Sequence, residues 1–253
     1  MKLSGRVALI SGGGRGIGRA ISLALAQDGA AVAVNYRRDE QAAHETLAAV
    51  EALGGRAKAY QASVDNFDED EAMVKQVLAD FGYVDILVNN AGLASRGNSV
   101  ADTDPAELER VLRTHALAPH YLSKLVLPSM RERPRGDIVM ISSSATRFLA
   151  GYGAPYNMGK AAMEALAVTL SKEELQHSIH LNVVAPGLVD TEMGRRLVKA
   201  TQGIDDLHKI DPVMPFGHVC SPEEVADIVR FFVSDAARYV TGQTVYVDGG
   251  ALG

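Results

Sequence analysis

A tyrosine and a lysine stand four residues apart in "YNMGK", at Tyr156 and Lys160. On the helix predicted there, side chains at that spacing share a face. A free phenol ionises near pH 10, too high for efficient proton exchange close to neutrality. Bringing it to about pH 7 takes about 4 kcal/mol, and one ammonium about 4 Å away supplies roughly that amount at an effective dielectric of about 20. The pair is therefore a candidate for general acid–base work. Taken by itself, a surface tyrosine lying over a lysine stem is the commoner arrangement. Upstream, the run "DIVMI" leads into three serines, Ser142, Ser143 and Ser144. Each could present a hydroxyl where a strand of an open α/β sheet meets its ligand.

A second chemical feature lies near the N-terminus, in "VALISGGGRGIGRAISLAL". No register of its glycines fits G-x-G-x-x-G; Gly12, Gly16 and Gly18 give G-x-x-x-G-x-G instead. A helix opening at about Gly16 leaves its first N–H groups without partners, and its dipole favours an anion there. Glycines let the chain turn sharply and let a pyrophosphate approach the backbone. A tight turn with close helix–sheet packing would use the same residues.

These groups need a frame. "RVALIS", "AVAVNY", "RAKAYQAS", "VDILVNN", "GDIVMIS", "IHLNVVAP" and "QTVYVDG" read as seven strands, bounded by Gly, Asp or Pro. Helical patterns such as "RAISLALAQDG" and "DEAMVKQVLADFG" alternate with them. Asp104-Pro105-Ala106-Glu107 and Ser221-Pro222-Glu223-Glu224 mark two helix starts. Such alternation predicts one α/β domain over residues 1–253: a doubly wound, Rossmann-type, mostly parallel seven-stranded sheet with helices on both faces. A less regular insertion spans about 187–220, between the last two strands.

The chain has 253 residues and a formal net charge of -6. That balance argues against nucleic acid or an anionic membrane surface as a partner. No apolar run reaches the roughly 18 residues of a membrane span, and the one cysteine, Cys220, fits a reducing compartment. A cytoplasmic location is expected.

"SGGGRGIG", "NNAG" (Asn89 to Gly92), "ISSS" (Ile141 to Ser144), "YNMGK" and "PGLVDT" (Pro186 to Thr191) occur in that order. Order and spacing resemble the short-chain dehydrogenase/reductase family along essentially the whole chain, the ketoreductases of acyl-carrier-protein and acyl-CoA substrates most of all. The resemblance selects Ser143, thirteen residues before Tyr156, as the hydroxyl that bonds the substrate oxygen. It implies hydride exchange between a nicotinamide and a carbonyl or secondary alcohol, with Tyr156 as general acid/base and Lys160 also holding the nicotinamide ribose. It places the dinucleotide on Gly12, Arg15, Gly16, Ile17 and Gly18, on Tyr36, Arg37 and Arg38, and on Asn90, Ala91 and Gly92. Pro186, Gly187, Val189 and Thr191 complete that surface, Thr191 facing the carboxamide. No metal is implied.

Two positions depart from the family pattern. His115 stands where the helix after "NNAG" usually carries an asparagine that holds open a local helix irregularity. It could join a proton relay, or pack and leave the backbone to do that work. Ser63 replaces an aspartate that meets the adenine amino group; Val64 follows it.

The second strand ends in "NYRRDE" without the acid that usually bonds a ribose diol. Arg37, Arg38 and Arg15 offer guanidinium forks suited to a phosphate, so NADP(H) is the expected cofactor, with NAD(H) the alternative. Met193, Leu197, Met214, Phe148 and Tyr152, mixed with Arg147 and Arg195, suggest a partly apolar small-molecule substrate with a polar end. Ala161, Ala162 and Ala165 allow close packing of helices across subunits, and a homo-oligomer, a dimer or tetramer, is expected. A dinucleotide sensor on the same fold would have no need of Ser143, Tyr156 and Lys160 together.

Overall fold

Apolar residues fill β1 (Val7–Ile10), β4 (Ile86–Asn89) and β5 (Gly136–Ile141) almost without interruption, and all three strands are buried along their length. Strands of that kind need helices on both faces. The computed structural model of the protein, which describes residues 3–251, supplies them. The remaining strands are β2 (Ala31–Tyr36), β3 (Ala57–Gln61), β6 (Ile179–Pro186) and β7 (Thr244–Val247). The seven lie in the order β3-β2-β1-β4-β5-β6-β7, and every neighbouring pair is parallel.

Strand alternation divides the core into two layers. Ala8, Ile10, Val32, Val34, Val139 and Val184 face α1 (Gly16–Gln27), α2 (Glu40–Ala52) and α9 (Pro222–Phe232). Leu9, Ala33, Leu87, Ile138, Met140 and Leu181 face α3 (Phe67–Phe81), α5 (Ala118–Arg131) and α7 (Ala154–Glu173). The sheet grows outward from β1 to β3, then resumes on the other side of β1 at β4. The C-terminal ends of β1 and β4 therefore flank a crevice, the usual ligand position in open α/β sheets.

The two cap signals are realised. Asp104 accepts from the Ala106 N–H at the start of α4 (Pro105–Leu112). Ser221 and Glu224 form a reciprocal capping box at α9. Between β6 and α9 the chain forms α8 (Glu192–Gln202) and two 3₁₀ segments, Leu207–Val213 and Pro215–Gly217. Val198, Leu207, Ile210 and Val219 give this segment a small core of its own.

At the opposite end of the sheet, buried Asp137 accepts from Arg6 at 2.6 Å and from Arg135 at 2.8 Å. Removing the carboxylate leaves two guanidinium groups largely out of water. Asp137→Ala is expected to lower unfolding stability by about 3 kcal/mol, read by urea denaturation at neutral pH; a change under about 0.5 kcal/mol would contradict that reading.

Candidate active site

β5 ends at Ile141, and the chain turns at once through Ser142, Ser143 and Ser144 into the short α6 (Ala145–Phe148). Helix α7 returns over this exit, carrying Tyr156 and Lys160 on one face. Lys160 is 3% exposed, and its Nζ donates to the Ile141 carbonyl at 2.7 Å. Burial pulls its pKa down to about 7, with the Glu164 carboxylate acting in the other direction. The Tyr156 phenol is shifted the opposite way: burial raises it above its ordinary value, and the Ser143 hydroxyl draws it down. Lys160 Nζ lies 5.7 Å from the centroid of the Tyr156 ring.

That geometry corrects the expectation that Lys160 alone makes the phenol acidic enough. The ammonium is bonded to a carbonyl and is itself short of solvation, so part of the lysine is neutral near pH 7. Desolvation of the phenol outweighs the help it receives.

Behind the tyrosine, α4 runs into a π-helical turn, Arg113–Leu117, before α5 begins. His115 sits in that turn, 1% exposed. Its ring meets that of Tyr156 edge-on, with centroids 5.1 Å apart. Nε2 lies 2.8 Å from the Leu93 carbonyl and 3.3 Å from the Leu93 N–H, donating to the first in one neutral tautomer and accepting from the second in the other. Nδ1 is buried without a partner. Glycines leave room for the ring: a Cβ at Gly159 would lie 2.8 Å from His115 Cβ, and one at Gly92 would lie 2.9 Å from Cε1. Burial, and then the Lys160 charge, hold the His115 pKa at about 3. A histidine this dry stays neutral through the physiological range.

The glycine turn between β1 and α1 is fastened by its neighbours. Asn35, on β2, accepts from the Gly12 N–H at 3.1 Å through Oδ1, and its carbonyl accepts from Gly13 at 3.0 Å. Asn90 Nδ2 donates to the Ser11 carbonyl at 2.9 Å and the Gly12 carbonyl at 3.2 Å. Ser11 Oγ in turn accepts from the N–H groups of Asn90 and Ala91. Gly12 and Gly16 have φ of 62° and 51°, where glycine is favoured. Gly18 is required for a different reason, since a Cβ there would lie 2.2 Å from the Gly12 carbonyl oxygen. Helix α1 opens with no side-chain cap and no acid in its first turn. This donor set, left to an outside acceptor at a positive dipole end, fits a dinucleotide pyrophosphate.

A family model described as enoyl-(acyl carrier protein) reductase matches residues 12–251. The chain is 36% identical over 251 residues to a 3-oxoacyl-[acyl-carrier-protein] reductase of Synechocystis sp., covering 99% of this chain and 98% of that one. A variant of a short-chain dehydrogenase/reductase from Serratia marcescens superposes with a TM-score of 0.90 at 33% identity, over 100% of both chains. The protein belongs to the short-chain dehydrogenase/reductase family. It is an oxidoreductase acting between keto and CH–OH groups. An angucycline C-6 ketoreductase with bound NADP matches at TM-score 0.89 and 32% identity, over 99% of this chain and 97% of that one. An NAD⁺-bound xylitol dehydrogenase matches at 0.91 and 26%, over 99% and 100%.

The remaining residues expected to face a dinucleotide are placed unevenly. Thr191 caps α8 by accepting from the Gly194 N–H at 3.1 Å, and its Cγ2 lies 3.3 Å from where a Gly16 Cβ would be. It thereby brings the end of β6 against the start of α1, beside Ile17. Pro186, at the end of β6, accepts from the Ser144 N–H, and Gly187 donates to Val247. Val189 bridges to Cys220. Arg37 and Arg38 are exposed at the end of β2 after half-buried Tyr36. Arg15 is not free as expected: it lies 3.2 Å from Glu192 and 3.9 Å from Asp39, because α8 brings an acid across the glycine turn. The Ser63 hydroxyl donates to Asp65 at 2.5 Å, and Val64 is buried. No helix among the described residues is long and apolar enough to cross a membrane.

Two residues escaped the sequence reading. Asn35 is the internal anchor of the glycine turn, and only the fold reveals it. Glu164 carried a legible signal, being four residues after Lys160 and so on its face of α7.

The His115 pKa has a consequence for stability. Folded His115 resists protonation until about pH 3, whereas the unfolded chain takes up that proton near 6.5. The stabilisation is complete above about pH 6.5 and is lost as pH falls toward 3. In His115→Asn, urea unfolding free energies at pH 7 and pH 4 should differ less than in the parent. An equal difference would contradict a buried neutral imidazole.

Proposed function

We propose that the protein is an NADP(H)-dependent ketoreductase that converts a carbonyl to a secondary alcohol, with 3-oxoacyl thioesters the leading substrate class. One observation carries the reading: Ser143, Tyr156 and Lys160 converge at the C-terminal end of β5, on the same sheet edge from which the uncapped α1 opens. Ser143 holds the substrate oxygen, and Tyr156 gives that oxygen a proton in reduction and takes it back in oxidation. Lys160 keeps positive charge beneath the phenol and reaches the ribose. Bound across this edge, a nicotinamide supplies or accepts the hydride and, when oxidised, adds a positive charge. Gly12 to Gly18 hold the pyrophosphate, while Asn90, Ala91 and Gly92 line the crevice.

Arg37 and Arg38, with no acid before Asp39, favour NADP(H). The three residues between Tyr156 and Lys160 favour ketone over enoyl reduction. The 3-oxoacyl preference draws on the Synechocystis relative. Exposed Phe148, Tyr152, Met193 and Leu197 border the substrate side and suit an apolar chain. The exposed face of α7, with Ala161, Ala162, Ala165 and Val168, is read as the surface that a second copy covers. A cytoplasmic location accords with the single cysteine.

The test is loss of NADPH absorbance with acetoacetyl-CoA and a panel of ketones. Tyr156→Phe is expected to reduce kcat/KM by about 10²–10⁴. Arg37→Ala and Arg38→Ala are expected to lower kcat/KM for NADPH by about tenfold or more and leave that for NADH unchanged. A parent preference for NADH would overturn the cofactor assignment, and full turnover by Tyr156→Phe would overturn the mechanism.

A further inference from the structure

Lys160 and Glu164 stand one helical turn apart on α7 and reach the same few residues where β5 ends. Lys160 takes the Ile141 carbonyl. Glu164 Oε1 accepts from Ser142 Oγ at 2.5 Å and from Thr146 Oγ1 at 2.9 Å. Thr146 also closes the turn on Ser143: its N–H lies 3.1 Å, and its hydroxyl 2.9 Å, from the Ser143 carbonyl. Ser143 is thus flanked by two residues whose hydroxyls converge on one carboxylate. Tyr246 of β7 lies 3.4 Å from the Thr146 hydroxyl, with the Arg147 guanidinium 4.9 Å from its ring centroid.

Charge adds a second link. The titratable groups facing Lys160 are Tyr156 and Glu164 from its own helix and His115 from the π turn. His115 is neutral and Tyr156 is protonated at pH 7, so the carboxylate is the counter-charge. The groups facing Glu164 are Lys160 and, beyond Thr146, Tyr246 and Arg147.

We propose that Glu164 is a positioning residue for the reduction: its carboxylate fixes the turn that presents Ser143 and favours the ammonium form of Lys160. The inference rests on the ketoreductase reading above, but half of it can be measured without turnover. In Glu164→Gln the amide oxygen can still accept both hydroxyls while the charge is gone. In Ser142→Ala/Thr146→Val the charge remains and both donors are lost, so this pair tests the positioning role independently of the charge.

The first readout is NMR of [ε-¹³C]lysine in the cofactor-free protein, with the Lys160 signal identified by its absence in Lys160→Met. The parent should titrate near about 7, the balance of burial against the Glu164 charge. Glu164→Gln should move that midpoint down by about one pH unit, and the double variant should not lower it. The second readout is kinetics with NADPH and acetoacetyl-CoA. The double variant should lose about 10- to 100-fold in kcat with the KM for NADPH unchanged. An unmoved lysine midpoint in Glu164→Gln overturns the charge role, and parental kcat in the double variant overturns the positioning role. Absence of NADPH-dependent turnover in the parent would refute the ketoreductase reading, while the lysine titration would still decide whether Glu164 controls Lys160.

Discussion

A buried ammonium bonded to the last carbonyl of β5 is the constraint around which this protein is arranged. Isolated, such a group would shed its proton rather than remain charged out of water. Here it keeps a balance near neutrality, between desolvation on one side and the Glu164 carboxylate on the other. The bond to Ile141 also joins α7 to the sheet at the point where Ser143 emerges. Lys160 therefore registers helix against strand, and Tyr156, one turn earlier, inherits its position from that contact.

The rest of the edge is organised to keep this small region dry and fixed. The π turn lets His115 reach Leu93 while its ring supports Tyr156. Such turns are rare and cluster at functional sites. Asn35, Asn90 and Ser11 tie the glycine turn to β2 and β4 through partly buried bonds, which leaves the uncapped start of α1 to an outside acceptor. Arg15 and Glu192 join that turn to α8 across the mouth of the crevice.

Much of the frame was legible because its physics is local. β-branched runs and amphipathic periods separate strands from helices, and Pro105 and Ser221 announce their helices through backbone chemistry alone. The parallel sheet follows from alternation. What escaped depends on tertiary approach. Gly18 and Gly12 are both glycines in the motif, yet one is dictated by a neighbouring carbonyl and the other by its own φ. Arg15 reads as an open cation until α8 delivers Glu192. His115 marks an unusual place in the helix but does not reveal the π turn, which has no side-chain period of its own. The direction of the Tyr156 shift was missed because spacing supplies the Coulomb attraction of Lys160 and says nothing about the burial that opposes it.

If desolvation governs the phenol in the empty protein, an added positive charge should be what brings it into range. The direct measurement is ultraviolet difference titration of Tyr156 near 295 nm, with Tyr156→Phe as the blank, with and without saturating NADP⁺. The account predicts that the phenol stays protonated well above neutral pH in the empty protein and ionises at lower pH once NADP⁺ is bound. Ionisation near pH 7 without the dinucleotide, or a midpoint indifferent to it, would contradict the account.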